Sequence, residues 1–453
     1  MLNFIIGRNN SGKTEKIRAL IAERASENKK CILIVPEQFS FESERSILEK
    51  IGAQKMLNVD ILSFTRLAFV INEQYGKALN KTIDDGTRKV LMSLSLEALS
   101  GKLEYFKRFS SKPALLSNLL TFVTELKQCA VTPDEIAEIS GKTGNKSLGK
   151  KLSELSLIAA SYDALVSRSF FDDENLLTIA ADMISETDFF DGKAVYFDAF
   201  CGFTKQERNC IKSILPKAEN VFISLCTDRD LSREGVSVFE NVNSEFSHLK
   251  ECAAEQNVGV SSPEILNVKE DGRSPELVYL EKYLCGEEFK PYKEECDNIV
   301  VCAAGNRADE ADFVACEIKK LLRCNPTLRC RNIAVIERTA GTYDKELSES
   351  FKKYGVPMFE DKRRPIGIQP VMVFVKCLLA LCAEGFSTES FMRLLKTGLT
   401  ALSGDEISEL ENYAFLWNID GSKWRRDFTE NPDGLGFDVT EKSQEKLIRL
   451  NDI

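Results

Sequence analysis

Eight residues near the start of the chain, Gly7-Arg8-Asn9-Asn10-Ser11-Gly12-Lys13-Thr14, carry the spacing G-x-x-x-x-G-K-T. Such a loop can hold phosphate: its glycines allow turns that aim successive N–H groups at phosphate oxygens, and the helix that follows adds its positive N-terminal end. On this reading Gly7 and Gly12 adopt backbone geometries that a side chain would block, and Asn10 and Ser11 form part of the nucleotide-binding turn. Lys13 reaches the β- and γ-phosphates, and the Thr14 hydroxyl ligates Mg²⁺. The bland alternative is a glycine-rich turn with an incidental lysine. The context favours the first reading, because Leu2 to Ile6 is an apolar strand-like run and Ile17, Leu20 and Ile21 recur at helical spacing after the loop.

A nucleotide site of this kind needs a second strand ending in Asp to hold the magnesium shell, and the segment AVYFDAF offers Asp198. Asp198 could equally be an aspartate that merely ends a strand. The next residue is Ala199, where a catalytic carboxylate would ordinarily stand. Arg338 closes the apolar run NIAVIER and is the candidate for a guanidinium that stabilises charge on the transferred phosphoryl group, or else a solvated arginine at a strand end. Two basic clusters, Lys362 to Arg364 and Lys423 to Arg426, are usual for solvated surface, but Lys423, Trp424 and Arg425 combine charge with an aromatic ring on which a base can stack.

At 453 residues the chain is too long for one ordinary core, and 43% hydrophobic residues is normal for a globular protein. A formal charge of −10 argues against a wholly basic surface without excluding a local positive groove for nucleic acid. No signal-like leader is present, and the longest apolar run, VMVFVKCLLALCA, is too short to span a bilayer, so a cytoplasmic protein with no membrane association is expected. The fourteen cysteines are scattered through apolar segments, where they act as small hydrophobes. The spacings Cys324/Cys330 and Cys377/Cys382 do not match a zinc site, and the single His248 lies in a polar, helix-surface pattern.

Strand-like runs at 31–36 and 59–64 alternate with helical stretches, which predicts a parallel, doubly wound sheet. From about 84 to 185 the pattern is helical only. Strand patterning then returns at 194–200, 220–227 and 265–268, so one α/β domain is interrupted by a helical insertion. A second α/β unit is expected from 298, with strands at 298–305 and 332–338 around a helix, and past about 385 the chain turns helical again. The end of the sequence has no closing element, and the chain reads as the front part of a longer protein.

In this order, GRNNSGKT, ILIVPEQFSFESE, ILSFTRLAF, YFDAFCGFTKQE, GNRADEADFVACEIKKLL and RNIAVIERTAGTYDKEL resemble superfamily 1 helicases of the UvrD type, and within them the B subunits of AddAB (RexAB) helicase/nucleases. YGVPMFEDKRRPIGIQPVMVFV and LLKTGL extend the resemblance over nearly the whole chain. It implies an α/β fold of two RecA-like P-loop NTPase domains with all-helical insertions: 1–83 and 190–295 as the first, interrupted by 84–189, then 296–385 as the start of the second and 386–453 as an incomplete insertion. It also implies ATP and Mg²⁺ as ligands, with Thr14 and Asp198 on the metal and Arg338 on the nucleotide. The implied partners are single- and double-stranded DNA and an A-subunit motor (AddA/RexA).

Active relatives read D-E-F-Q-D where this chain has Asp198-Ala199-Phe200-Cys201-Gly202, and they carry G-D-x-x-Q after the next strand, whereas no Gln occurs here between Gln206 and Gln256. The resemblance therefore implies a chain that binds nucleotide and is poorly equipped to hydrolyse it: a non-motor scaffold that takes part in Chi recognition. The nuclease and iron–sulfur cluster of such subunits belong to a C-terminal part outside this chain, so the present cysteines are not assigned to a cluster. An active translocase and a small-molecule kinase built on a P-loop are the competing readings.

Overall fold

The computed structural model describes residues 1–76, 83–107, 112–169, 173–228, 238–267, 273–284, 290–360 and 366–453. By internal contacts the chain divides into two units, 1–300 and 301–453.

The first unit is built on six strands: β1 (Leu2–Ile6), β2 (Cys31–Ile34), β3 (Val59–Leu62), β4 (Ala194–Phe197), β5 (Asn220–Leu225) and the short β6 (Glu264–Ile265). Their order is β3-β2-β4-β5-β1-β6, and every pairing is parallel. The three strands that read CILI, AVYF and NVFISL are apolar nearly throughout because helices cover both faces of a parallel sheet. One face packs Phe4, Ile32, Ile34, Val195 and Ile223 against helices; the other packs Ile5, Leu33, Val59 and Tyr196 against Ile17 and Ile21. Cys31 and Cys210 are buried in these layers, and burial pushes the Cys31 thiol up to about 11, as befits a packing residue.

The helices of this unit are α1 (Lys13–Ser26), α2 (Ser40–Ile51), α3 (Ala53–Met56), α4 (Phe64–Tyr75), α5 (Asp85–Ala98), α6 (Pro113–Gln128), α7 (Pro133–Lys142), α8 (Lys146–Ser169), α9 (Asp173–Glu186), α10 (Lys205–Ile214), α11 (Glu240–Glu255) and α12 (Pro275–Leu284). Sequence patterning locates all six strands to within a few residues. It also accounts for the helices among the described residues between β3 and β4, where α5, α6 and α8 surround a separate core that includes Met92, Leu96, Ile158 and Tyr162.

The second unit contains α13 (Arg307–Cys324), α14 (Asp344–Tyr354), α15 (Pro370–Glu384), α16 (Thr388–Leu395), α17 (Gly404–Leu416) and α18 (Glu441–Asp452). The two strands expected at 298–305 and 332–338 do not form: neither segment pairs as a strand. Val301 and Ile336 are 92% and 90% exposed, so no described residue covers their side chains. An extended segment becomes a stable strand only when neighbours satisfy its N–H and C=O groups, and apolar patterning cannot report whether those neighbours are present. The helices α13 and α14 do pack, around Ala315, Ile318, Phe351 and Val356, and α15 to α18 share a core that includes Leu395, Leu410 and Tyr413.

Within the helical insertion, Glu154 is 4% exposed and accepts from three consecutive backbone N–H groups: Glu104 at 2.9 Å, Tyr105 at 2.8 Å and Phe106 at 3.1 Å. Burial by itself would raise its carboxyl pKa, but the backbone donors outweigh burial and hold it below the ordinary glutamate range. Removing it leaves those three donors without their acceptor. Glu154→Ala is expected to lower the stability of the insertion by about 3 kcal/mol and to abolish hydrogen-exchange protection at the three amides. Because the folded pKa is depressed, the carboxylate's contribution is present above the unfolded glutamate pKa and fades as pH falls through the folded value, so wild type and variant converge in acid.

Candidate functional site

The eight-residue loop joins β1 to α1, so the alternation of strand, glycine turn and helix stands as expected. Gly12 has φ of 88° and Asn10 of 59°, both left-handed, which bend the chain tightly before the helix. Gly7 is required for a different reason. A Cβ there would lie 2.4 Å from the Ser11 hydroxyl oxygen and 2.9 Å from the Leu266 carbonyl oxygen, so the loop can press against the end of β6 only without a side chain. No described side chain caps the N-terminus of α1, in contrast to α10, where Thr204 and Glu207 form a capping box. The Lys13 ammonium donates to the carbonyls of Gly7 and Arg8, each at 2.8 Å, which folds it back over the loop. The Ser11 hydroxyl is buried and has no hydrogen-bond partner among the described residues. A buried hydroxyl without a partner suits an external acceptor such as a phosphate oxygen.

Asp198 follows β4 and is 5% exposed. It accepts a hydrogen bond from Ser224 on β5 at 2.5 Å, while the Gly7 N–H donates to the carbonyl of Leu225, the next residue on β5, at 3.3 Å. One strand therefore links the glycine loop to an aspartate distant in sequence, and both sit at the carboxyl edge of the sheet. Sequence reasoning misses Ser224; the one polar residue near the end of the apolar run NVFISL is the available signal. Ala199 has φ of 65°, a left-handed conformation that costs a residue with a Cβ and that glycine adopts freely. Phe64, Phe200 and Phe203 pack edge-on and tilted behind it, with ring centroids 4.9 to 6.1 Å apart.

Arg8, an unassigned position of the motif, makes the most extensive polar contacts in the loop. Its guanidinium pairs with Asp228 at 2.6 Å, donates to the Glu281 carbonyl on α12 at 3.2 Å, and lies over the Phe239 ring at 5.6 Å. Beyond Asp198, Glu207 on α10 is pushed up by burial against the lowering effect of its Thr204 cap, and the neighbouring Arg208 pairs with buried Glu245 at 2.9 Å. His248 is exposed on α11. Among the described residues no group of three or more His, Cys, Asp or Glu is arranged to hold a metal by itself.

The remaining residues singled out in the sequence lie in the second unit. Arg338 is exposed, on a loop whose backbone is organised by Glu337, which accepts from the N–H groups of Gly341 at 2.7 Å and Tyr343 at 3.0 Å. Trp424 is half-buried against Phe391 and Phe428 and donates its indole N–H to Thr388 at 3.0 Å. Lys423 and Arg425 are exposed, the first donating to the Asn418 carbonyl at 2.8 Å and the second lying over the Phe386 ring at 5.2 Å. The cluster Lys362 to Arg364 falls outside the described residues. No helix among the described residues is long and apolar enough to cross a membrane.

A six-stranded parallel α/β sheet with a glycine loop between its first strand and first helix, and an aspartate at the end of a neighbouring strand, defines the class of protein to which unit 1–300 belongs. The family model for the AddB N-terminal region matches residues 4–281, and the chain belongs to that family. It is 31% identical over 457 residues to the B subunit of the ATP-dependent helicase/deoxyribonuclease of Clostridium novyi, covering 99% of this chain and 40% of the relative. The proteins of the same name from Acetivibrio thermocellus and Clostridium tetani are each 31% identical, covering 93% and 100% of this chain and 37% and 41% of their own lengths. The chain thus spans about 40% of the length of the curated relatives it matches.

The left-handed backbone at Ala199 predicts that Ala199→Gly raises stability by about 0.5–1 kcal/mol, read as a higher thermal midpoint, whereas a position free of strain would lose stability on the same change.

Proposed function

We propose that this chain is the N-terminal, helicase-like part of the B subunit of a heterodimeric ATP-dependent helicase/nuclease that processes DNA ends for recombinational repair in the cytoplasm. In this role it binds nucleotide and DNA as a scaffold, without acting as a motor. The observation that carries the reading is the pairing of the glycine loop between β1 and α1, with its buried and unpartnered Ser11 hydroxyl, with Ala199 at the position after Asp198. Ser11, the amides at the start of α1 and the Lys13 ammonium would receive the phosphates. Thr14 and Asp198 would hold Mg²⁺, which supplies charge neutralisation at the β- and γ-oxygens.

Hydrolysis needs more than charge neutralisation. A water must be oriented in line with the leaving group, and Ala199 offers neither a carboxylate nor any hydrogen-bonding side chain for that purpose. Bound nucleotide therefore stabilises the loop, and through Gly7 and Leu225 the carboxyl edge of the sheet, without turning over.

The finer architecture follows from the same reading. Residues 1–83 and 190–295 form a first RecA-like domain, interrupted by the helical insertion 84–189. Residues 296–385 begin a second such domain, whose exposed Val301, Ile336 and Phe359 await strands from elsewhere in a longer protein. Arg338 is the proposed nucleotide-contacting arginine of that second domain. DNA is the proposed ligand of exposed Lys423 and Arg425, with Trp424 braced behind them. The A subunit supplies the motor, and Chi recognition is a function of the assembled pair.

Two measurements test this. Lys13→Ala is expected to weaken binding of a fluorescent ATP analogue at least about tenfold. Wild type is expected to hydrolyse ATP no faster than that variant, with or without single-stranded DNA; DNA-stimulated turnover abolished by Lys13→Ala would establish the translocase instead. Charge reversal at Lys423 and Arg425 is expected to weaken single-stranded DNA binding uniformly across sequences and to flatten its salt dependence by about one to two charges; an unchanged salt slope would remove this surface from the DNA path.

A further inference from the structure

Helices α10 and α11 pack together in the first unit and leave beside their contact a cavity of about 470 Å³, open to solvent. No residue of the Gly7–Thr14 loop lines it. Its α11 wall includes Ser244, Glu245 and His248, placed on one face by their spacing of three to four residues. Its α10 wall includes Glu207 and Arg208, with Thr204 just before the helix.

Glu245 is only 5% exposed, and its carboxylate accepts from Arg208 through Oε2 at 2.9 Å. The other oxygen, Oε1, is buried and has no hydrogen-bond partner among the described residues. A buried carboxylate oxygen left without a donor is costly, and a donor entering from the cavity removes that cost. The last torsion of a glutamate is broad, so a small turn of the carboxylate presents Oε1 to the cavity that the residue lines.

The charge of the lining selects the donor. Two carboxylates, Glu207 and Glu245, share one guanidinium, that of Arg208. Burial chiefly raises the Glu207 pKa, and the nearby negative charge of Glu245 adds to it. Both carboxylates repel an anion. The N-terminus of α10 offers an anion no refuge, because Glu207 accepts from the Thr204 N–H at 2.7 Å and Thr204 from the Glu207 N–H at 3.2 Å. Among the described residues no three side chains are arranged to hold a metal ion. A cation that brings its own N–H donors matches what remains.

We propose that this cavity binds an organic cation, a guanidinium or primary ammonium group, through the Glu245 carboxylate, with Glu207 as a second acceptor and Arg208 as the positioning residue that holds Glu245. The site stands on α10 and α11 and does not depend on what the glycine loop holds. The cation comes from a free polyamine or from a lysine or arginine side chain of another polypeptide, and the chemistry at the carboxylate is the same for both.

His248 is the single histidine of the chain and lines the cavity, so its ring resonances report occupancy without overlap. The full chain is titrated at constant ionic strength with spermidine and, separately, with a blocked tripeptide whose central residue is arginine. A saturable shift of the His248 ring signals is expected with at least one of them. Tighter binding of spermidine identifies a free polyamine as the source, tighter binding of the peptide a side chain of another polypeptide, and either ranking upholds the site. Glu245→Gln, which keeps the shape and an oxygen for Arg208, is expected to weaken the tighter probe at least about tenfold. Glu251→Gln, the same charge change at an exposed position of α11 outside the cavity, is expected to leave it unchanged. Should Glu245→Gln fail to fold, Ser244→Arg at an exposed position of the lining tethers a guanidinium in the cavity and is expected to abolish the shift. The proposal is overturned by the absence of a saturable shift with both probes, by equal weakening in Glu251→Gln, or by affinity that survives Glu245→Gln or Ser244→Arg.

Discussion

The parallel hydrogen bonding of the sheet is the constraint on which the rest of the first unit depends. Because all six strands run the same way, every strand delivers its carboxyl end to one edge, and every connection must cross back over a face. The faces are then committed to apolar packing, and polar chemistry is left to the loops that follow the strands. The glycine loop after β1, Asp198 after β4 and Asp228 after β5 meet at that edge for this reason alone. Their separation along the chain reflects only the length of the crossovers, one of which contains the whole helical insertion.

At the edge, a few hydrogen bonds convert proximity into geometry. Ser224 holds Asp198, Leu225 holds Gly7, and Arg8 holds both Asp228 and the backbone of α12. The Ser224–Asp198 bond is buried, where reduced solvation strengthens it relative to the same contact on open surface, while the Asp228 side chain paired with Arg8 is 43% exposed. Beside them, Ala199 follows Asp198 in a left-handed backbone conformation.

The second unit illustrates the opposite situation. Its helices α13 and α14 find partners in each other, and α15 to α18 find a shared core, because helices satisfy their own backbones and need neighbours only for their apolar faces. Its two strand-like segments have no such independence. They remain unpaired as strands and largely exposed, since a strand's hydrogen bonds belong to whatever lies beside it.

The sequence by itself determined the elements whose signals are local. The phosphate-loop spacing, the six strands of the first sheet, the helical insertion and the exposed position of His248 were all legible, because each depends on periodicity or on the conformational freedom of glycine. Tertiary structure alone decided the polar partnerships. Nothing in the spacing indicates that Ser224 would meet Asp198, that Arg8 would span from Asp228 to α12, that Glu154 would gather three amides, or that Trp424 would pack on Phe391 and Phe428 with its N–H on Thr388. Only the folded chain could show that 298–305 and 332–338 lack strand partners among the described residues. The physical reason is the same throughout: backbone propensity and burial periodicity are written along the chain, whereas a hydrogen bond between distant segments is decided by which strand ends lie side by side.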